Sequence, residues 1–122
     1  MSGPAATEPR WNADGLIAAV AQHADTGEVL MLAWMNDESL RLTLKTGEAH
    51  YWSRSRGELW RKGETSGQLQ AVEEVRLDCD GDAVLLRVRP GGDGGACHLV
   101  ERSFFHRRLT LRDAVFGLEH AR

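Results

Sequence analysis

The chain of 122 residues is 42% hydrophobic and 27% charged, the mix of one soluble globular domain. A net charge of −3 argues against a nucleic-acid polyanion as partner, and no run approaches the roughly 20 apolar residues that span a bilayer. A core of this size is modest, so burial against a second copy would help it.

Residues 1–12 read as a flexible leader with neither a basic start nor an apolar stretch, hence no secretory signal and a cytoplasmic protein. Leu16 to Ala21 and Val29 to Trp34 flank the turn Asp25-Thr26-Gly27 and predict a hairpin. Asn36 can cap a helix over about 37–46, with Asp37 and Glu38 favourable to its dipole, Leu40 and Leu44 on one face and Gly47 closing it. Ala49 to Arg54 predicts a third strand, followed by a turn at Ser55-Arg56-Gly57 and a short segment around Leu59 and Trp60. Strands follow at about 69–79 and 83–89, then a glycine-rich loop from Pro90 to Gly95. Ala96-Cys97-His98 and Ser103-Phe104-Phe105 are short pieces, and residues 107–122 read as an extension with a terminal helix. The fold class expected is mainly β (α+β), antiparallel strands with one short helix and no internal repeat.

Asp78-Cys79-Asp80-Gly81-Asp82 is the densest chemical feature. Asp-Gly between β-prone runs is a strong hairpin signal. Strand alternation puts Asp78 and Asp80 on one face and Cys79 on the other with Val75 and Leu77, and Asp82, past the turn, can fold back toward the first two carboxylates. Carboxylates so close repel unless a cation neutralises them; oxygen ligands suit magnesium or calcium, and the thiolate suits zinc. An EF-hand is excluded, since its sixth position would be Ala83 and its twelfth Arg89. The plain alternative is an acidic turn with a small buried cysteine.

Trp52-Ser53-Arg54-Ser55-Arg56 and Trp60-Arg61-Lys62-Gly63-Glu64-Thr65-Ser66-Gly67 combine cations, hydroxyls, bare amides and indoles, a mix that suits a phosphorylated, ring-bearing ligand. The order is not that of a P-loop. The plain alternative is a basic exposed hairpin. Cys97-His98 could join Cys79 around zinc, with His98, His106 or His50 completing the set. His50 is either a packed histidine or an acid–base group near the basic loop.

Glu28 to Trp34, Gly47 to His50, Trp52 to Arg56, Leu59 to Gly67 and Leu77 to Ala83 together resemble phosphoribosyl-AMP cyclohydrolase, over about Leu16 to His106. The resemblance makes 13–106 a cyclohydrolase-like domain. It implies an intertwined, mostly β homodimer with sites at the interface, which hydrolyses the N1–C6 bond of the adenine ring in phosphoribosyl-AMP during histidine biosynthesis. It also implies magnesium on Asp78, Asp80 and Asp82, zinc on Cys97 and on Cys79 from the neighbouring subunit, His98 as a catalytic histidine, and substrate at Trp52–Arg56 and Trp60–Gly67. Two departures stand out. Cys97-His98 continues as Leu99-Val100 rather than Thr-Gly, and the third zinc cysteine falls on Phe104, with His106 a candidate replacement. The other reading is therefore a paralogue that binds or hydrolyses another purine-like nucleotide without the usual zinc centre.

Overall fold

The computed structural model describes residues 4–92, 101–109 and 116–120. Its elements run β1 (Ile17–His23), β2 (Val29–Met35), α1 (Asp37–Thr46), β3 (His50–Ser53), β4 (Glu58–Arg61), β5 (Gln70–Leu77), β6 (Ala83–Pro90), β7 (Arg107–Leu109) and β8 (Leu118–His120). The first six strands form one sheet in the order β4-β3-β2-β1-β6-β5. The β1–β2 hairpin, α1 and the β5–β6 hairpin stand where expected. One neighbour pair departs from the antiparallel pattern: β6 lies parallel to β1, from Ala18↔Ala83 to His23↔Val88. The sheet also curls back on itself. The Ala49 amide donates to the Gln70 carbonyl at 2.9 Å, and the Val72 amide to the Gly47 carbonyl at 2.7 Å, so the start of β5 meets the segment leading into β3.

Strand alternation sets the core. Ile17, Ala19 and Ala21 of β1 and Val84, Leu86 and Val88 of β6 turn inward, and Leu30, Met31, Met35 and Tyr51 complete the buried cluster. Tyr51 is fully enclosed. Its hydroxyl donates to Gln70 Oε1 at 2.7 Å, and Gln70 Nε2 lies 3.2 Å from Met31 Sδ, linking β3, β5 and β2 through one polar chain. Burial alone pushes the Tyr51 hydroxyl far above its ordinary range, so it remains a donor.

The helix begins with a capping box. Asn36 Oδ1 accepts from the Ser39 amide, and Ser39 Oγ accepts from the Asn36 amide, both at 2.8 Å. Gly47, at φ 75°, closes it by donating to the Thr43 carbonyl. The buried face differs from the expected leucine pair: Ser39, Leu40 and Thr43 are buried, whereas Leu44 is exposed. Thr43 Oγ1 earns its place by donating to the Ser39 carbonyl and accepting from the His50 amide, which fixes α1 against β3. Asn36→Ala is expected to lower unfolding stability by about 1 kcal/mol in urea titration, with the slope unchanged.

The helix expected within 107–122 is not what the described residues form. Arg107–Leu109 and Leu118–His120 pair as a small antiparallel sheet, Arg107↔His120 to Leu109↔Leu118. Leu109 and Leu118 therefore face each other across two strands instead of lining a helix.

Candidate functional site

The basic segments occupy the β3–β4 hairpin and the loop that follows. Gly57, at φ 63°, turns the hairpin by donating to the Ser53 carbonyl. The chain leaves β4 through a second turn, in which the Glu64 amide donates to the Arg61 carbonyl and the Gly67 amide to the Gly63 carbonyl. Gly63 has φ 83°, and a Cβ there would lie 2.3 Å from the Gln68 carbonyl carbon and the Leu69 nitrogen. The loop thus closes on its own exit, and only glycine fits the crossing.

The cations of this region are held in distinct ways. The Arg54 guanidinium lies 4.6 Å from the Trp34 ring centroid. Arg56 sits 3.6 Å from Glu58, and Arg61 pairs with Glu48 at 2.9 Å. Lys62 is buried, its ammonium 5.9 Å from the Trp60 ring and 5.8 Å from the Phe104 ring. The ammonium thus lies within reach of the quadrupoles of two rings. Ser53, Ser55, Glu64, Thr65 and Ser66 surround it in sequence, the last three exposed on the loop.

His50 is buried at the start of β3. Its ring Nδ1 lies 2.8 Å from the Glu48 carbonyl, a contact that places the proton on Nδ1 and leaves Nε2 as the basic nitrogen.

The segment carrying Phe104 docks on the edge of β2. Arg102 pairs with Glu28 at 2.6 Å, Ser103 Oγ donates to the Val29 carbonyl at 2.8 Å, and the Phe104 amide donates to the Leu30 carbonyl at 2.6 Å. This edge is open because β2 and β3 share a single registered pair, Trp34↔Trp52. Phe104 thereby becomes a wall beside Lys62. His106 lies nearby with Glu101 and His120. Cys97 and His98 fall outside the described residues.

The acidic turn corrects one expectation. Strand alternation stops at Leu77, because the Gly81 amide donates to the Asp78 carbonyl and Gly81 adopts φ 79°. Cys79 is exposed, as is Leu77, and its sulfur gathers with Asp78 and Asp80 instead of standing on the opposite face. One ligand atom each from Asp78, Cys79 and Asp80 gathers within 4.8 Å, and Cys79 Sγ lies 3.8 Å from Asp78 Oδ1. Asp82 does fold back. Its carboxyl hydrogen-bonds Asp78, which holds Asp78 below the usual carboxylate range and pushes Asp82 above it. Loss of hydration, then the charges of Asp78 and Asp80, push the Cys79 thiol up. Carboxylates crowded in this way are a donor set suited to a hard divalent cation. The leader participates too: the Ala6 amide donates to the Cys79 carbonyl at 2.9 Å and the Arg10 amide to the Gly81 carbonyl at 2.7 Å.

The two halves lie at opposite ends of β5. The loop around Gly63 contacts Gln68 and Leu69 just before β5, and the acidic turn follows Leu77 at its far end. Eight residues of strand separate them by roughly 20 Å. Trp34 beneath Arg54, Phe104 beside Lys62, and Glu101 with His120 beside His106 were not legible as site residues, since each pairing arises from strands distant in sequence.

A family model described as phosphoribosyl-AMP cyclohydrolase matches residues 31–106. A protein of that name from Caulobacter sp. (strain K31) is 71% identical over 103 residues, covering 84% of this chain and 77% of that protein. Namesakes from Brucella anthropi, 58% identical over 114 residues (93% and 81% covered), and from Hyphomonas neptunium, 60% identical over 114 residues (89% and 86% covered), are also similar. With a family model over more than half its length and relatives this similar across most of theirs, the chain belongs to the phosphoribosyl-AMP cyclohydrolase family.

Proposed function

We propose that this chain hydrolyses the N1–C6 bond of the adenine ring of phosphoribosyl-AMP, as a hydrolase acting on a cyclic amidine in histidine biosynthesis. The observation that carries the reading is the buried Lys62 ammonium, held between Trp60 and Phe104 inside the loop that family resemblance assigns to substrate. Phosphate oxygens meet Lys62, Arg54 and Arg56, with hydroxyls of Ser53, Ser55, Thr65 and Ser66 and the amide of Gly63 completing the cradle. Trp52 or Trp60 offers an indole face to the purine. Water adds at C6, the C6–N1 bond breaks, and N1 departs carrying a proton. His50 Nε2, or His98, takes the proton from the water and returns it to N1.

Asp78, Asp80 and Asp82 are the residues that hold Mg2+ in this reading, and their crowding at one turn fits that role. Zinc fits less well. A three-thiolate centre is ruled out by Phe104, so the zinc reading kept here is Cys79 from one copy with Cys97 from the other, and His98 or His106 as third donor. When bound, zinc supplies an acidified water and magnesium neutralises phosphate charge. The roughly 20 Å between the loop and the acidic turn supports a homodimer in which each site draws on both copies. Among the described residues no helix is long and apolar enough to cross a membrane.

Purified protein supplied with Mg2+, Zn2+ and phosphoribosyl-AMP is expected to open the ring, read as an absorbance change. Absence of turnover with both metals present overturns the reading. Phe104, which replaces a thiolate, favours the second reading, a paralogue that takes another purine-like nucleotide. Nucleotide-dependent thermal stabilisation without ring opening would establish that one.

A further inference from the structure

The strands β7 and β8 are three residues each, and all six residues are exposed. A two-stranded hairpin with no apolar face is marginal in water. The exposed Arg108–Glu119 ion pair across it contributes little. Something further must tie the pair to the body of the protein, and a cluster at its open end can do so. His106 immediately precedes β7, His120 ends β8, and Glu101 opens the segment that docks on β2. Glu101 Oε1 lies 2.9 Å from His120 Nε2, and the His106 and His120 rings are 5.7 Å apart. One ligand atom from each of the three falls within 4.8 Å of the others. Glu101 and His106 are half-buried, and the three line a cavity of about 570 Å³ together with Glu28, Arg102 and Phe105.

We propose that Glu101, His106 and His120 bind one late first-row divalent ion, zinc by preference, which staples the β7–β8 hairpin to the segment docked on β2. Two imidazole nitrogens and one carboxylate select zinc-like ions over magnesium or calcium. Three protein ligands leave a fourth position, which opens onto the cavity and takes water. Donors on one tetrahedral zinc sit about 3.4 Å apart. Glu101 and His120 already approach more closely than that, and a side-chain rotation of about 1.4 Å closes the widest gap the cluster allows. No cysteine belongs to this set, and with His106 engaged here the third donor left to the thiolate zinc of the cyclohydrolase reading is His98.

Equilibrium dialysis of the metal-free chain against cobalt chloride, then zinc chloride, tests the proposal without substrate. In a Cys79→Ser/Cys97→Ser variant, which removes the thiolates of the proposed zinc centre, the expected result is one equivalent of Co2+ per chain with visible d–d absorption and no thiolate-to-cobalt band. His120→Ala and Glu101→Gln, with circular dichroism unchanged, are each expected to weaken that equivalent by about tenfold or more. Zinc added to the wild-type protein is expected to shift the His106 and His120 ring resonances together, a readout that needs no variant. Unchanged affinity in both variants overturns the site, as do unmoved resonances. Cobalt bound solely with a thiolate band and lost in Cys79→Ser/Cys97→Ser overturns it as well.

Discussion

Lys62→Met and Asp80→Asn are each expected to lower kcat/KM by about 100-fold or more, and mixing the two inactive proteins is expected to restore activity. The reason is the distance along β5. Lys62 belongs to the loop before that strand and Asp80 to the turn after it, so a site that needs both must take them from different copies. In a mixed dimer one site receives both damaged residues and the other receives neither. Random exchange makes half of the dimers mixed, so about one quarter of wild-type activity returns in a twofold-symmetric assembly. Activity in the mixture no greater than the mean of the two variants would place the loop and the acidic turn in separate roles. The assay is ring opening after the subunits have been dissociated and reassociated together.

Gly63→Ala is expected to destabilise the protein by about 3 kcal/mol or more, among the largest effects a single methyl can have. Two costs add. The φ of 83° lies in the left-handed region that an L side chain tolerates poorly, and the new Cβ would collide at 2.3 Å with the backbone of Gln68 and Leu69. Backbone cannot swing aside as a side chain can. Gly57→Ala separates the two contributions: Gly57 has φ 63° with nothing within 4 Å of a built Cβ, so it is expected to cost about 1 kcal/mol. Paired denaturant titrations measure both. Equal costs at the two positions would show that the loop relaxes around the methyl group.

The elements that local rules govern were legible. Asn36, Gly47 and the run between them mark α1 at both ends, and alternation in Ala83 to Val88 marks β6 and its inward face. Cys79 shows where such rules stop. A period of two assigns it to the face opposite Asp78 and Asp80, but the period holds only while the chain is extended, and Gly81 ends that condition. Leu44 shows a second limit. Helical spacing groups it with Leu40, yet the hydrogen bonds of Thr43 with His50 decide which face turns inward. For residues 107–122, apolar spacing carried no signal to separate a helix from two three-residue strands. Likewise Phe104 reads as a lost ligand in one dimension, and its place beside Lys62 depends on β2 offering an open edge to a segment 74 residues further on.

The parallel contact between β1 and β6 has a consequence for how the protein is made. The middle strand of the sheet waits for a partner that leaves the ribosome only after more than sixty further residues have been synthesised. Until then the nascent β1–β2 hairpin carries an unsatisfied backbone edge beside alanines and methionines destined for the interior, a template for pairing with other chains. Closure over such a span makes folding slow for a chain this short, and holdase chaperones or a lowered expression temperature are expected to raise the soluble yield.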